Sequence, residues 1–343
     1  MRQLLQETTA YKLLRSERDK NRLHHAYLLL LDDARNLGFA LKTFAKVLFS
    51  CETEGAGTRR ISALIDEGKF ADCHEYPKTD KKFTVAEAER VLEEISLKPV
   101  EGDKKVFIVS DFAEATPQAQ NKLLKILEEP PEGVFFLIGA TVVYPILQTV
   151  LSRTEKLEIL PFDVGKVTDC LVRLYEHDER FTSRDLSLCG AASGGSVGNA
   201  QNVLEGGYYR QLTQSAFDLA LSTPFQLPVN VKKIAEIKYK KEFLSLLRLI
   251  FRDALIVKTT QINGVSPFGK MSKRAEKYLL LRSEKENVER VSKTYNLNAL
   301  LFAQEAISAA EKEIFFNAAF SQCMQLLMSK IMIKAMSQPS TDF

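Results

Sequence analysis

Short apolar runs alternate with helix-period stripes through the first 160 or so residues. Runs at 26–31, 105–110, 134–139 and 155–160 are apolar or β-branched and bounded by charge, Gly or Pro, so they predict strands. Between them, 35–49, 59–69, 84–96 and 117–129 repeat apolar residues at helical spacing. Such alternation predicts a parallel sheet flanked by helices. The nearly continuous apolar runs VFIV and VFFLIG predict strands covered on both faces. One stretch stands out: HHAYLLLLDDARNLGFALKTFAK, residues 24–46. Its apolar run stops at Asp32-Asp33, and Leu37, Ala40, Leu41, Phe44 and Ala45 then share a helical face. Strand, tight turn and helix open a nucleotide-binding domain, but this turn lacks the glycines, lysine and hydroxyl residue that hold phosphates.

Pro161 closes the last strand run. Short helical patterns follow: VGKVTDCLVRLYE, SRDLSLCGAAS, and a helix opened by Gly194-Gly195-Ser196. They predict a small helical lid over 163–207, ending at Gly206-Gly207. Beyond it no strand pattern occurs. KKEFLSLLRLIFRDALIVK places Phe243, Leu246, Leu247, Ile250, Ala254, Leu255 and Val257 on one helical face. The last helix is rich in Met and Phe, which suits a core or a subunit interface, core being the more frequent case. SQPSTDF at the end predicts a frayed tail. The expected organisation is an α/β domain over 1–162, the lid over 163–207 and an all-helical domain over 208–343.

Length and charge narrow the classes. A chain of 343 residues suits two or three domains. Lys+Arg 47 against Asp+Glu 44 gives +3, which excludes a polyelectrolyte binding phosphate backbones over its whole surface and leaves local basic patches open. Lys240, Lys241, Arg248 and Arg252 are spaced for solvated helix faces. No apolar run approaches the roughly 18 residues of a membrane span, and the N-terminal stretch lacks the apolar core of a signal peptide. The five cysteines, Cys51, Cys73, Cys170, Cys189 and Cys323, are scattered and odd in number, as expected for core thiols in a reducing cytoplasm. His24 and His25 are adjacent, hence on opposite sides of a strand, and form no catalytic set with His74 and His177.

NKLLKILEEPPEG, residues 121–133, predicts an amphipathic helix with a hard stop. Leu123, Leu124 and Leu127 form the stripe, Lys122, Lys125, Glu128 and Glu129 are solvated, and Pro130-Pro131 ends it. Its setting says more. KKVFIVSDFAEATPQAQNKLLKILEEPPEGVFFLIGATVVYPILQTVLSRTEKLEIL resembles the AAA+ module of the clamp-loader ATPase-like subunits of bacterial DNA polymerase III. HHAYLLL and AKVLFSC match that family's first strand and helix. The resemblance is most specific over 100–160, weaker over 20–50 and a matter of pattern after 207.

The resemblance implies a site with its working parts replaced. Active members carry G-x-x-x-x-G-K-[ST] after the first strand; aligned without gaps, Leu31 and Asn36 stand at the glycines, Leu37 at the lysine and Gly38 at the hydroxyl. Asp32 and Asp33 add negative charge where a triphosphate would sit, at several kcal/mol for a contact at an effective ε of about 20. Ser110-Asp111 stand where active members place Asp-Glu for Mg²⁺ and water. Asp111 is read instead as a strand-end or helix-capping carboxylate. In the G-S-x-R-D-A helix start, Gly198 replaces the sensing arginine, while Ser196 remains a good N-cap. Ser152 and Arg153 match the S-R-C motif, with Thr154 for Cys. In this family that arginine faces the ATP of the adjacent subunit, although an isolated arginine before a strand is ordinarily a surface ion pair.

The family often inserts a four-cysteine zinc module after the first helix. Here Cys51 has no C-x-x-C partner and only Cys73-His74 follows, so no metal is expected. The resemblance therefore implies a subunit without cofactor or metal that does not hydrolyse ATP. It implies a hetero-oligomeric ring with gamma/tau ATPase and delta subunits, acting through the assembly on a sliding clamp and primed DNA, with no membrane contact, at the cytoplasmic replisome. The helices after 207 would form the oligomerisation collar. Two other readings stay open: an active ATPase of the same family, and an unrelated α/β-plus-helical scaffold.

Overall fold

Five parallel strands form one sheet in the computed structural model, which describes residues 1–51, 55–78, 82–263 (side chains to 260) and 278–336. The strands are β1 (Ala26–Leu31), β2 (Cys73–Tyr76), β3 (Lys105–Val109), β4 (Val134–Ala140) and β5 (Glu155–Ile159), in the order β2-β3-β4-β1-β5. Leu28 of β1 lies opposite Ile138 of β4 and Lys156 of β5. All six residues of β1 and all five of β3 are buried, the outcome their unbroken apolar runs require. This sheet belongs to the first of two units, Met1–Pro161 and Phe162–Phe343.

Among the described residues, seven α-helices accompany the sheet: α1 (Arg2–Glu7), α2 (Thr9–Asp19), α3 (Leu37–Leu48), α4 (Ala56–Asp66), α5 (Val85–Ile95), α6 (Pro117–Glu128) and α7 (Gln148–Leu151). Helix α6 starts where the Thr116 hydroxyl accepts from the Ala119 amide at 3.2 Å and Pro117 takes the first helical position. It ends before Pro130, as its sequence demands. Leu123 and Leu127 are fully buried against Phe107, Phe136 and Phe112, each burial worth about 1.5–3 kcal/mol. Phe107 and Phe136 stack across β3 and β4 with ring centroids 5.5 Å apart.

The sequence pattern omits β2 and the N-terminal helices. CHEY is four residues long and carries two polar side chains, so neither an apolar run nor a clean alternation marks it. His74 is nonetheless largely buried, stacked on Phe107 at 5.1 Å.

The described residues of the second unit form helices and no strand. They are α8 (Val164–Leu174), α9 (Ser183–Ala192), α10 (Val197–Glu205), α11 (Tyr209–Ala220), α12 (Leu227–Ile234), α13 (Lys240–Asn263), α14 (Lys285–Thr294), α15 (Leu297–Phe315) and α16 (Phe320–Met336). Thr182 and Asp185 form a reciprocal capping box at α9. Helix α13 is central, packing against α9, α11, α14 and α15. Its Asp253 is fully buried and accepts the Leu280 and Leu281 amides at 2.9 and 2.8 Å, while burial raises its carboxyl pKa. Gly206-Gly207 turns the chain between α10 and α11, with Gly207 at φ +71°. Helix α16 divides its apolar residues: Met324, Met328 and Ile331 are core, whereas Leu326 and Met336 are exposed. The tail expected to fray, 337–343, lies outside the described residues. Cys73, Cys170, Cys189 and Cys323 are buried, and burial pushes the Cys73 thiol up to about 12.

Candidate functional site

The turn between β1 and α3 is closed by its own side chains. Asp33 is 2% exposed, and its carboxylate accepts from the Asn36 backbone amide at 3.1 Å and the Asn36 side-chain amide at 3.0 Å. The Asp33 amide folds back onto the Leu31 carbonyl at 2.7 Å. A phosphate loop aims amides at an anion from outside. Here a carboxylate of the chain takes one of those amides. Leu37, at the lysine position, is 2% exposed and packs over β4. A Cβ built on Gly139 of β4 would lie 3.2 Å from Leu37 Cδ1 and 2.6 Å from Leu41 Cδ1, so α3 sits tightly on a strand position that only glycine fits. Gly38, at the hydroxyl position, faces open space.

At the end of β3, Ser110 donates its amide to the Tyr76 carbonyl at 2.9 Å. Asp111 follows in the left-handed region at φ 52°, ψ 45°, ahead of a 3-10 turn over Phe112–Glu114. Its carboxylate accepts no capping hydrogen bond. The strand-end reading therefore holds and the capping reading does not: Asp tolerates a left-handed turn because its short polar side chain is accommodated there. Burial, then Glu114, raises its pKa. Strand β4 separates the ends of β1 and β3. In the second unit, Ser196 caps α10 by accepting the Asn199 amide at 3.2 Å, and Gly198 is buried in the first turn.

Ser152 and Arg153 come together at the other end of the sheet. They follow α7 and precede β5, beside the C-terminus of α6. Arg153 Nη1 donates to the Thr149 carbonyl at 2.9 Å and to Ser152 Oγ at 3.1 Å, and Nη2 pairs with the Glu128 carboxylate. Its Nε is buried and has no partner among the described residues. Glu128, expected to be merely solvated, is thus the arginine's counter-ion. An open cleft of about 570 Å³ adjoins the pair, lined by His24, His25, Leu127, Glu128, Ser152, Arg153, Thr154 and Glu155. The two histidines share this cleft because they precede β1, where strand alternation does not apply. His25 Nε2 meets the Leu127 carbonyl at 2.7 Å, and His24 packs edge-on against Tyr27. Tyr27 donates to Glu17 at 2.7 Å, and burial, reinforced by Glu17, raises its hydroxyl pKa.

The strands are parallel, so their polarity separates these features. The cleft lies at the starts of β1 and β5, and the Asp33 turn at the end of β1. Six residues at about 3.3 Å each put roughly 16–20 Å between them.

Among the described residues, no group of three or more His, Cys, Asp and Glu side chains could hold a metal ion. No helix among them is long and apolar enough to cross a membrane.

Residues 6–163 match the family described as "DNA polymerase III, delta subunit". Over 169 residues the chain is 30% identical to DNA polymerase III subunit delta' of Bacillus subtilis, covering 49% of this chain and 50% of the relative. Over 192 residues it is 27% identical to DNA polymerase III subunit tau of Escherichia coli, covering 54% of this chain and 29% of the relative. The chain thus spans half or less of the length of these curated relatives. A gamma subunit-related protein of Thermotoga maritima superposes at 14% identity with a TM-score of 0.40, covering 96% and 100% of the two chains, a likeness too low to carry an argument. Residues 6–163, which hold the parallel sheet and its flanking helices, are thus similar to DNA polymerase III subunits of the delta'/tau/gamma kind.

Proposed function

We propose that the chain does not hydrolyse ATP and that it presents Arg153 to a nucleotide bound by a neighbouring gamma/tau-type ATPase subunit, within a ring that also holds a delta subunit and loads a sliding clamp onto primed DNA. The observation that carries this reading is the separation along β1. Arg153 sits at the strand starts, roughly 16–20 Å from the chain's own phosphate-loop position at the strand ends, so it can serve only a nucleotide outside its own α/β unit. The closed Asp33–Asn36 turn and the buried Leu37 support the absence of a nucleotide of its own. We assign the lid to 163–207 and the oligomerisation collar to 208–343, a role that the exposed Leu326 and Met336 of α16 suit.

A guanidinium supplied in trans is worth about 10³–10⁵ in rate where it stabilises phosphoryl-transfer charge. Arg153→Ala, assembled with intact neighbours and verified by the mass of the complex, is expected to lose at least about 10³-fold of DNA-stimulated ATP hydrolysis. Wild-type hydrolysis and clamp loading in a fully assembled complex would overturn the assignment. Titration of the isolated wild-type chain is expected to show no ATP binding at micromolar concentration.

A further inference from the structure

The turn joining α12 to α13 is strongly basic. Residues 227–241, LPVNVKKIAEIKYKK, hold Lys232, Lys233, Lys238, Lys240 and Lys241 against Glu236 alone, a net +4. The whole chain is +3, so everything outside this stretch sums to −1. All five lysines are exposed. Among the described residues, Lys232, Lys233, Lys238 and Lys240 have no carboxylate within ion-pair distance, and Lys233 Nζ meets only Asn230 Oδ1 at 3.3 Å. Other cations of this unit are engaged: Arg184 with Glu284, Arg248 with Glu311 and Arg252 with Asp253. Lys232 and Lys233 suit the C-terminus of α12, but Lys240 opens α13, where a cation opposes the helix dipole. Lys240 Nζ lies 5.6 Å from the centre of the Phe320 ring, which holds the lysine at this position while leaving its charge without a carboxylate.

Aromatic rings lie among these charges. Tyr208 and Tyr239 pair with centroids 5.7 Å apart and planes tilted by 56°, and Tyr208 is 46% exposed. The Tyr239 hydroxyl donates to the Asn202 carbonyl at 3.4 Å, which fixes its ring, and Lys238 Nζ lies 5.2 Å from that ring's centre. Ammonium groups flanking an accessible aromatic face are the two components that hold single strands: charge follows the backbone and rings stack bases.

We propose that this surface binds single-stranded nucleic acid, with Lys232, Lys233, Lys238 and Lys240 on phosphates and a base on the Tyr208–Tyr239 pair. A duplex keeps its bases stacked internally and offers nothing to the rings. An acidic peptide would use the lysines and leave the tyrosines idle. The assignment is independent of any role for Arg153.

The test uses the full-length chain and a fluorescent oligo-dT 20-mer, read by anisotropy between 50 and 200 mM salt. Four phosphate contacts on a single strand give a log–log salt slope near −2.8, about a 50-fold loss across that range. Lys232→Glu/Lys233→Glu/Lys238→Glu/Lys240→Glu should abolish binding, and the matching glutamine variant should flatten the slope. Tyr208→Ala/Tyr239→Ala should weaken binding by roughly tenfold and leave the slope unchanged. Circular dichroism checks that each variant is folded. No binding by the wild type, unchanged affinity in the glutamine variant, no effect of the tyrosine pair, equal affinity for a blunt duplex, or preference for polyglutamate would each overturn the proposal.

Discussion

On the proposed reading Leu37 stands where a phosphate loop carries its lysine, and Leu37→Lys is expected to fail twice. Leu37 is 2% exposed, between α3 and Gly139 of β4. Removing a fully buried leucine from its contacts forfeits about 1.5–3 kcal/mol. A cation in the first turn of α3 adds about 0.3–1 kcal/mol against the helix dipole. The exposed Asp32 offers some attraction, but a surface pair is worth no more than about 1 kcal/mol. The balance is a loss of about 2–3 kcal/mol. The α/β unit, Met1–Pro161, has 161 residues, and for that size each kcal/mol lowers Tm by about 2–4 °C. Scanning calorimetry of Leu37→Lys should therefore show the transition of this unit lowered by roughly 4–12 °C. Calorimetric titration should show no ATP binding, because the Asp33 carboxylate still holds the Asn36 amide. A wild-type Tm, or a micromolar Kd for ATP, would refute the reasoning.

Three further outcomes follow from the same unit. Gly139→Ala places a methyl 2.6 Å from Leu41 Cδ1 and should cost about 1–3 kcal/mol, read by thermal unfolding; an unchanged Tm would mean that α3 shifts freely on the sheet. The side chains of Arg153 and Glu128 are 32% and 48% exposed, so a double-mutant cycle of Arg153→Ala and Glu128→Gln by urea unfolding should give a coupling of no more than about 1 kcal/mol. A coupling above about 2 kcal/mol would make the pair a structural staple. Burial holds the His74 imidazole below its ordinary range, and Glu94, 3.6 Å away, opposes this only in part. The folded state thus binds its proton less readily than the unfolded chain. The stabilisation is complete above the unfolded pKa of about 6.5 and falls as pH drops below it. The urea midpoint should decline from pH 7 to pH 5, and His74→Phe should remove part of that slope; an identical slope in the variant would show that His74 protonates freely when folded.

The strands were legible wherever burial on both faces forced a continuous apolar run. For β1 the pattern gave both ends, and for β3, β4 and β5 it missed by one residue at one end. Helices α5 and α6 were legible from their stripes, and α6 also from Thr116 and Pro130, which act locally. CHEY was not legible, because a four-residue strand whose His74 stacks on Phe107 is held by tertiary packing. Strand order is likewise set by long-range packing. At the site, the placing of Leu31, Asn36, Leu37 and Gly38 at phosphate-loop positions rests on the resemblance read from the sequence and belongs to the proposed function. What fills the turn could not be read: Asp33 looked like a repulsive charge, and the structure makes it the acceptor that closes the turn. Glu128 gave no signal either, since its partner is 25 residues away and the pairing depends on where α6 ends beside α7.

The two ends of β1 give the α/β unit a direction. On the proposed reading, a copy can lend its arginine but cannot receive one, since its own strand ends hold no nucleotide. Two copies of this chain placed side by side would then make no working interface in either order. Activity would require an unlike neighbour on one particular side, so each copy could complete a single nucleotide site. A ring containing it would be asymmetric, with its starting point marked by whichever position this chain occupies.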